Sequence, residues 1–216
     1  MSDQSRNHPF DAETWSLLPD YLANLPNPVQ LRVWGDPKAS TGEREAARLG
    51  KGLADGFEQI EMSLLPRRVN YPYYPVIGVF SIDGDETTDH GVRLIGLPAG
   101  LQMTSLIAAI QAVSFRGVTI GAKTRIQLSK LQTDINLELL SAADDELGTL
   151  MAKTVFGLAV ASAHIRSYLI MADVFPEAMW KYSVNHLPHL VINGRVHADG
   201  ELSEEMILQQ IASSIR

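Results

Sequence analysis

Three acidic residues follow one another at the start of a helical pattern in the second half of the chain. Asp144, Asp145 and Glu146 directly precede the apolar periodicity that begins at Leu147. Carboxylates there are typical of helix capping, because they accept hydrogen bonds from free N–H groups of the first turn and complement the helix dipole. These interactions stabilise a helix by about 0.3 to 2 kcal/mol. The alternative is that one of them is a general base or receives a basic group of a partner. The residue types favour capping.

Three histidines lie around a proline near the C-terminus. His186 and His189 flank Pro188, and His197 follows after a turn. With Asp145 these imidazoles could form a metal site. Because His186 and His189 should point in different directions, the spacing favours surface histidines, and we expect no metal.

Aromatic and hydroxyl side chains stand at two places in the first half. The run Tyr71-Pro-Tyr-Tyr-Pro75 offers contact area with polar tips, as ligand grooves do, although at least one ring is expected to pack in the core. We expect Ser40 or Thr41 to be the N-cap of the helix that follows, with Glu43 or Glu45 adding charge to its first turn. The alternative is a hydroxyl of the kind with which glutathione transferases hold a thiolate.

Hydrophobic spacing predicts the elements that position these residues. In the first half it predicts helices at 11–24, 42–57 and 101–114 and strands at 29–35, 59–65, 74–82 and 91–97. In the second half it predicts helices at 123–134, 147–161, 175–182 and 203–215 and strands at 135–140, 165–171, 188–192 and 195–198.

The element order repeats, which indicates an internal duplication. It predicts an α/β fold of two tandem thioredoxin-like units, each a central mixed β-sheet flanked by helices. The units span 28–118 and 119–216, after an N-terminal helical extension at 1–27. Pro75 and Pro188 open equivalent strands, so we expect a cis peptide bond before each.

Composition excludes several classes of function. The 216 residues carry a formal net charge of -7, which is the wrong sign for binding nucleic acid or anionic lipid. The cysteine count is zero, which removes disulfides, thiolate metal sites and cysteine nucleophiles. Met1–Phe10 lacks the features of a secretory signal, and the apolar stretch 152–170 is interrupted by charges, so we expect a cytoplasmic protein.

Several segments carry a family resemblance. Leu187-Pro-His-Leu-Val-Ile-Asn-Gly-Arg-Val196, with Gly200 and the helix from Ser203, resembles the cis-proline strand, hairpin and last helix of glutaredoxin-like domains. The segment 91–106 resembles the end of the first unit in tandem-thioredoxin protein disulfide oxidoreductases and in the N-terminal domain of the flavoprotein component of alkyl hydroperoxide reductase. Phe175-Pro-Glu and Lys181-Tyr182 match the same family.

The resemblance fails at the redox motif. It places the two C-x-x-C motifs of that family on Ala39, Ser40, Thr41 and Gly42 and on Asp145, Glu146, Leu147 and Gly148. Thiol–disulfide exchange needs a thiolate to attack and a second thiol to resolve, so the redox activity of the family is not carried over.

We therefore expect a redox-inactive binding or scaffold protein with no cofactor and an unidentified protein or peptide partner. A homo-oligomer is left open. The expected groove consists of Tyr73, Tyr74, Pro75, His186, Leu187, Pro188 and His189, beside Asp145 and Glu146. One alternative is an enzyme with glutathione chemistry at Ser40 or Thr41, or acid–base chemistry at Asp145 and His189. Another is an accessory module of a flavoprotein or peroxidase.

Overall fold

The computed structural model describes residues 12–215. The segment Met1–Phe10, whose composition argues against a secretory signal, lies outside the described residues. The first half consists of α1 (Ala12–Leu22), β1 (Val29–Trp34), α2 (Thr41–Gly56), β2 (Ile60–Leu65), β3 (Val76–Asp83), β4 (Glu86–Ile95) and α3 (Gln102–Ser114). The second consists of α4 (Ala122–Leu128), β5 (Ile135–Ser141), α5 (Glu146–Ala161), β6 (Ile165–Met171), α6 (Pro176–Tyr182), β7 (His189–Ile192), β8 (Val196–Asp199) and α7 (Glu204–Ser214).

All eight strands form one mixed sheet in the order β2-β1-β3-β4-β6-β5-β7-β8. The first four belong to the first half and the last four to the second. The halves join where β4 runs parallel to β6, with Val92 opposite Ser167 and Ile95 opposite Ile170. The predicted fold class, a mixed α/β fold with a central sheet flanked by helices, is confirmed.

The two faces of the sheet are covered unequally. One face packs against α1, α2, α3, α5 and α7 through alternating apolar residues such as Val33, Val79 and Leu169. The other, which we call the outer face, is covered by the loop 66–75 and by α6. Alternate residues of the same strands point to opposite faces, so Trp34, Phe80 and their neighbours lie on this outer face.

Two boundaries differ from the sequence prediction by five residues or more. Helix α4 ends at Leu128 and does not reach Asp134, because the residues after Ser129 are mostly polar and offer no apolar stripe. Strand β4 begins at Glu86, before Gly91, since the first part of the β3–β4 hairpin is exposed and lacks an apolar face.

Both prolines follow cis peptide bonds, Tyr74–Pro75 and Leu187–Pro188. Within residues 12–215, no helix has the length and apolar character needed to cross a membrane. The unit boundaries near 27 and 118 stay a prediction.

Candidate functional site

The segments of the expected site all reach one edge of the sheet. Pro75 precedes β3 and Pro188 precedes β7, and three strands separate β3 from β7. At about 4.8 Å per strand, the two prolines lie roughly 19 Å apart along this edge. Helices α2 and α5 also begin here, after the carboxyl ends of β1 and β5. We call this the cis-proline edge.

In the first half, Ser40 caps α2. The Glu43 N–H donates to Ser40 Oγ at 3.2 Å, and the Ser40 hydroxyl donates to Glu43 Oε1 at 2.9 Å. Ser40 Oγ accepts from the backbone N–H of Glu43, as the side chain of an N-cap residue does, so of the two predicted candidates, Ser40 and Thr41, Ser40 is the cap. Thr41, its neighbour, is exposed and accepts from Arg44 at 3.2 Å.

The carboxylate of Glu43 is the centre of a buried ion pair. Its side chain is 1% exposed and accepts from Arg67 Nε at 2.8 Å and Nη2 at 2.5 Å, and from the Asp36 N–H at 2.7 Å. The hydrogen bonds from Arg67 outweigh burial and, with those from Asp36 and Ser40, lower the pKa of Glu43 to about 2. The Glu43 carboxylate is therefore ionised, and both of its oxygens accept hydrogen bonds from within the protein.

The segment 39–42 lies directly beside the cis-proline of its half. A Cβ added to Gly42 would be 3.7 Å from Pro75 Cδ. Ala39 is exposed. Ser40 and Thr41 are exposed as well, and the Ser40 hydroxyl is hydrogen-bonded within its cap.

In the second half, Asp145 caps α5. The Gly148 N–H donates to Asp145 Oδ1 at 2.9 Å and the Ser141 hydroxyl to Oδ2 at 2.7 Å. Gln102, fully buried at the start of α3, donates to Ser141 Oγ and to the Ala142 carbonyl, both at 2.9 Å. The predicted capping role of Asp145 is confirmed, and the cap is tied to the first half through Gln102.

The three tyrosines of the aromatic run have different environments. The Tyr71 hydroxyl accepts from Arg93 Nε at 2.8 Å. The Tyr74 hydroxyl bonds to the backbone of Arg68. Tyr73 stacks on Phe175 with 4.8 Å between centroids and 16° between planes, so it links the loop of the first half to the second half. All three are partly buried, so the expected packing role is confirmed.

The structure brings two of the histidines together. His189 Nε2 lies 3.0 Å from His197 Nδ1, whereas His186 is exposed. Burial and the neighbouring His197 lower the pKa of His189. Across residues 14–215, no three histidine or carboxylate side chains converge as metal ligands would. Asp145 accepts two hydrogen bonds within its cap, and within residues 14–215 no hydrogen bond joins it to His189, so the acid–base pair of Asp145 and His189 stays a hypothesis.

Sequence reasoning placed Leu147 in the redox-motif segment, but it did not predict that apolar side chains are exposed at this edge. Leu101, Leu147 and Val174 are 46%, 39% and 53% exposed. Their segments are held together, since the Leu101 N–H donates to the Ala143 carbonyl at 2.8 Å and the Ala143 N–H to Asp173 Oδ2 at 3.2 Å. We call these three residues the edge patch. Each opens or precedes a helix, where periodicity alone does not say which way a side chain faces.

Comparison with known proteins gives the fold. No family model matches the chain. It is 21% identical over 204 residues to NADH dehydrogenase of Bacillus subtilis (strain 168), covering 94% of this chain and 38% of that protein. It is 24% identical over 213 residues to the alkyl hydroperoxide reductase F protein of Pseudomonas putida, covering 94% of this chain and 37% of that protein. The chain thus spans less than half the length of these curated relatives.

Solved structures agree over almost the whole chain. The NTD_N/C domain of the alkylhydroperoxide reductase AhpF from Enterococcus faecalis superposes with a TM-score of 0.83 at 16% identity, covering 93% of this chain and 98% of that one. A protein disulfide oxidoreductase from Aeropyrum pernix gives 0.81 at 19% identity, covering 98% and 97%. The chain has no cysteine, in keeping with the absence of a C-x-x-C motif. Its fold is the thioredoxin-like fold of these two proteins.

Proposed function

We propose that this chain is a redox-inactive thioredoxin-like module that binds a protein or peptide partner at the cis-proline edge. One observation carries the proposal. Both positions to which the resemblance assigns redox cysteines are built as helix caps, one around Ser40 and one around Asp145. The same edge leaves the apolar edge patch uncovered.

The chemistry of the caps supports a binding role over an enzymatic one. The Ser40 hydroxyl donates to Glu43, so it is not free to hold a thiolate. The Asp145 carboxylate accepts two internal hydrogen bonds, which leaves it poorly placed to take a proton from a substrate. With no thiolate in the chain, disulfide exchange has neither an attacking nor a resolving group.

The side chains exposed at the cis-proline edge indicate the chemistry of the proposed partner. Apolar contact is offered by the edge patch and by the half-buried ring of Tyr73. Asp144 and Glu146 are exposed beside it, which favours a partner with positive charge. Exposed ion pairs contribute little and are screened by salt, so the apolar anchors are expected to carry most of the affinity.

Site-specific photocrosslinking tests the binding surface. A benzophenone side chain at Leu147 should trap a partner in cells, whereas the same group at Ile126 should not, although Ile126 is 62% exposed on α4. Replacing Val174 by Asp should then abolish crosslinking from position 147. The same bands from both positions would contradict the proposed surface.

Insulin reduction tests the redox half of the proposal. Purified protein with dithiothreitol should reduce insulin no faster than dithiothreitol alone, because the chain holds no sulfur nucleophile. Catalytic turnover would refute redox inactivity, whatever the crosslinking shows.

A second candidate is an accessory module of an alkyl hydroperoxide reductase. The match to the F protein of that enzyme, over 94% of this chain, favours it. Calorimetric titration against the purified flavoprotein and peroxidase components of the same organism should then detect binding, weakened at least about 10-fold by Leu147→Asp. Failure of both components to bind would reject this partner and leave the crosslinking experiment to decide the first candidate.

A further inference from the structure

A cavity lies on the outer face of the sheet where the two halves meet, and the only residue that it shares with the partner surface proposed above is Tyr73. The cavity, of about 290 Å³, opens over strands β4, β6 and β5. The loop 70–73 bounds it on one side and α6 on the other. At about 30 Å³ per water, this space equals roughly ten water molecules, which suits a ligand of about ten non-hydrogen atoms.

The charge of the cavity is opposite to that of the chain. The chain carries a net charge of -7, yet the cavity wall contains three cations, Arg93, Arg166 and Lys181, and one carboxylate, Glu138. Glu138 is compensated locally, since it bonds to the Tyr182 hydroxyl and lies 3.7 Å from Lys181 Nζ. The two arginines therefore dominate the rest of the wall.

Arg93 is fixed in place by the fold. It is 5% exposed, and its Nη2 pairs with Asp89 Oδ2 at 2.5 Å while Nε donates to the Tyr71 hydroxyl at 2.8 Å. Its guanidinium also lies over the rings of Trp34 and Phe80, at 5.2 and 5.0 Å. The ring contacts hold the cation without neutralising it, and the countercharge of Arg93 is the Asp89 carboxylate.

Arg166 is the cation available to a ligand. It is exposed on β6, next to β4 in the sheet. The absence of a side chain at Gly91 leaves space for Arg166, because a Cβ there would be 2.9 Å from Arg166 Cγ and 3.1 Å from its Cα. The φ of Gly91, +74°, also favours glycine at this position. Asp89 is the carboxylate that faces both arginines, and one acid against two guanidinium groups leaves a single positive charge.

Tyrosines form much of the remaining wall. Four of the six tyrosines of the chain line this cavity, namely Tyr71, Tyr73, Tyr168 and Tyr182. Burial raises the pKa of Tyr73 and Tyr168, so both hydroxyls stay protonated and able to donate. Tyrosine rings offer flat apolar contact beside these donors.

We propose that this cavity binds a small aromatic carboxylate, with its carboxylate on Arg166 and the Tyr168 hydroxyl and its ring among the tyrosines. A single surplus positive charge matches a monoanion. The ligand would contact β4 and the loop 70–73 of the first half together with β6 and α6 of the second. It would therefore bridge the junction between the halves.

Calorimetry with benzoate as the probe tests the site. We expect benzoate to bind with a Kd below about 1 mM and at least about 10-fold more tightly than benzamide, its neutral isostere, and than cyclohexanecarboxylate, which lacks the aromatic ring. Equal binding of benzamide would overturn the role of charge. Equal binding of cyclohexanecarboxylate or of inorganic phosphate would overturn the aromatic class.

Variants locate the binding. Arg166→Gln should weaken benzoate at least about 10-fold and Tyr168→Phe by a smaller factor, while Arg125→Gln, an exposed arginine on α4, should leave Kd unchanged. Circular dichroism confirms that each variant is folded. Full affinity in a folded Arg166→Gln variant, or no heat with benzoate up to about 10-fold above the expected Kd, would refute the proposal.

Discussion

The Glu43–Arg67 pair should make the stability of the protein fall in acid. Glu43 has its pKa lowered from 4.5 to about 2 by the hydrogen bonds from Arg67, against the opposing effect of burial. At about 1.4 kcal/mol per pH unit this corresponds to roughly 3.5 kcal/mol of unfolding free energy. Because the Arg67 side chain is 48% exposed, solvent screening reduces the expected value to about 2 kcal/mol.

The sign follows from the direction of the shift. A carboxylate whose pKa is lower in the folded state stabilises the fold above pH 4.5, its ordinary value, and this contribution is lost as the pH falls towards 2. Glu43→Gln should lower the unfolding free energy by about 2 kcal/mol at pH 7. Because residue 43 of the variant does not titrate, it should cause little further loss of stability as the pH falls. The wild type should converge on the variant near pH 2.

Urea unfolding from about pH 2.5 to 7, followed by circular dichroism, measures this difference. Glu45→Gln is the matched control, because Glu45 lies in the same helix but pairs with Arg48 at the surface. It should cost less than about 1 kcal/mol. A Glu43→Gln variant whose stability runs parallel to the wild type at every pH would show that the ion pair contributes nothing specific.

Three further outcomes are expected. Asp145→Ala should lower the unfolding free energy by about 1 kcal/mol through loss of the α5 cap, and Asp145→Asn by less; equal losses in urea melts would argue against capping. Gly78→Ala should cost about 1 to 3 kcal/mol, because the new Cβ would lie 2.7 Å from the Trp34 ring; an unchanged melting temperature would contradict this. In an NMR titration His189 should protonate below its ordinary pKa of 6.5, and His197→Ala should raise that pKa; no change in the variant would discount the contact.

Local signals were enough to predict most elements and both caps. Apolar periodicity indicates α2 and α5, and a hydroxyl or carboxylate directly before each stripe indicates its N-cap. These inferences depend on neighbours within a few positions along the chain. The sequence therefore predicts a cap at each helix start, and the structure shows that the capping residues are Ser40, not Thr41, and Asp145 among the three acidic residues.

Long-range partners were not predictable in the same way. Glu43 was expected to add first-turn charge, but its partner Arg67 stands 24 residues away on a loop. Gln102 gives no sign in the sequence that it will reach Ser141 from the other half. The outer-face cavity did leave one trace in the sequence, since Arg93 interrupts the apolar last part of β4, between Val92 and Leu94.

The pairing of β4 with β6 has a consequence for either half of the chain produced alone. It leaves β2 and β8 as the outer strands of the sheet, and it satisfies main-chain groups along four register pairs. A half produced alone would expose that row of N–H and C=O groups, and such rows recruit strands from other molecules. When the two halves are expressed as separate chains, each is therefore expected to self-associate or to bind the other half. Within the described residues, the two halves share one continuous sheet.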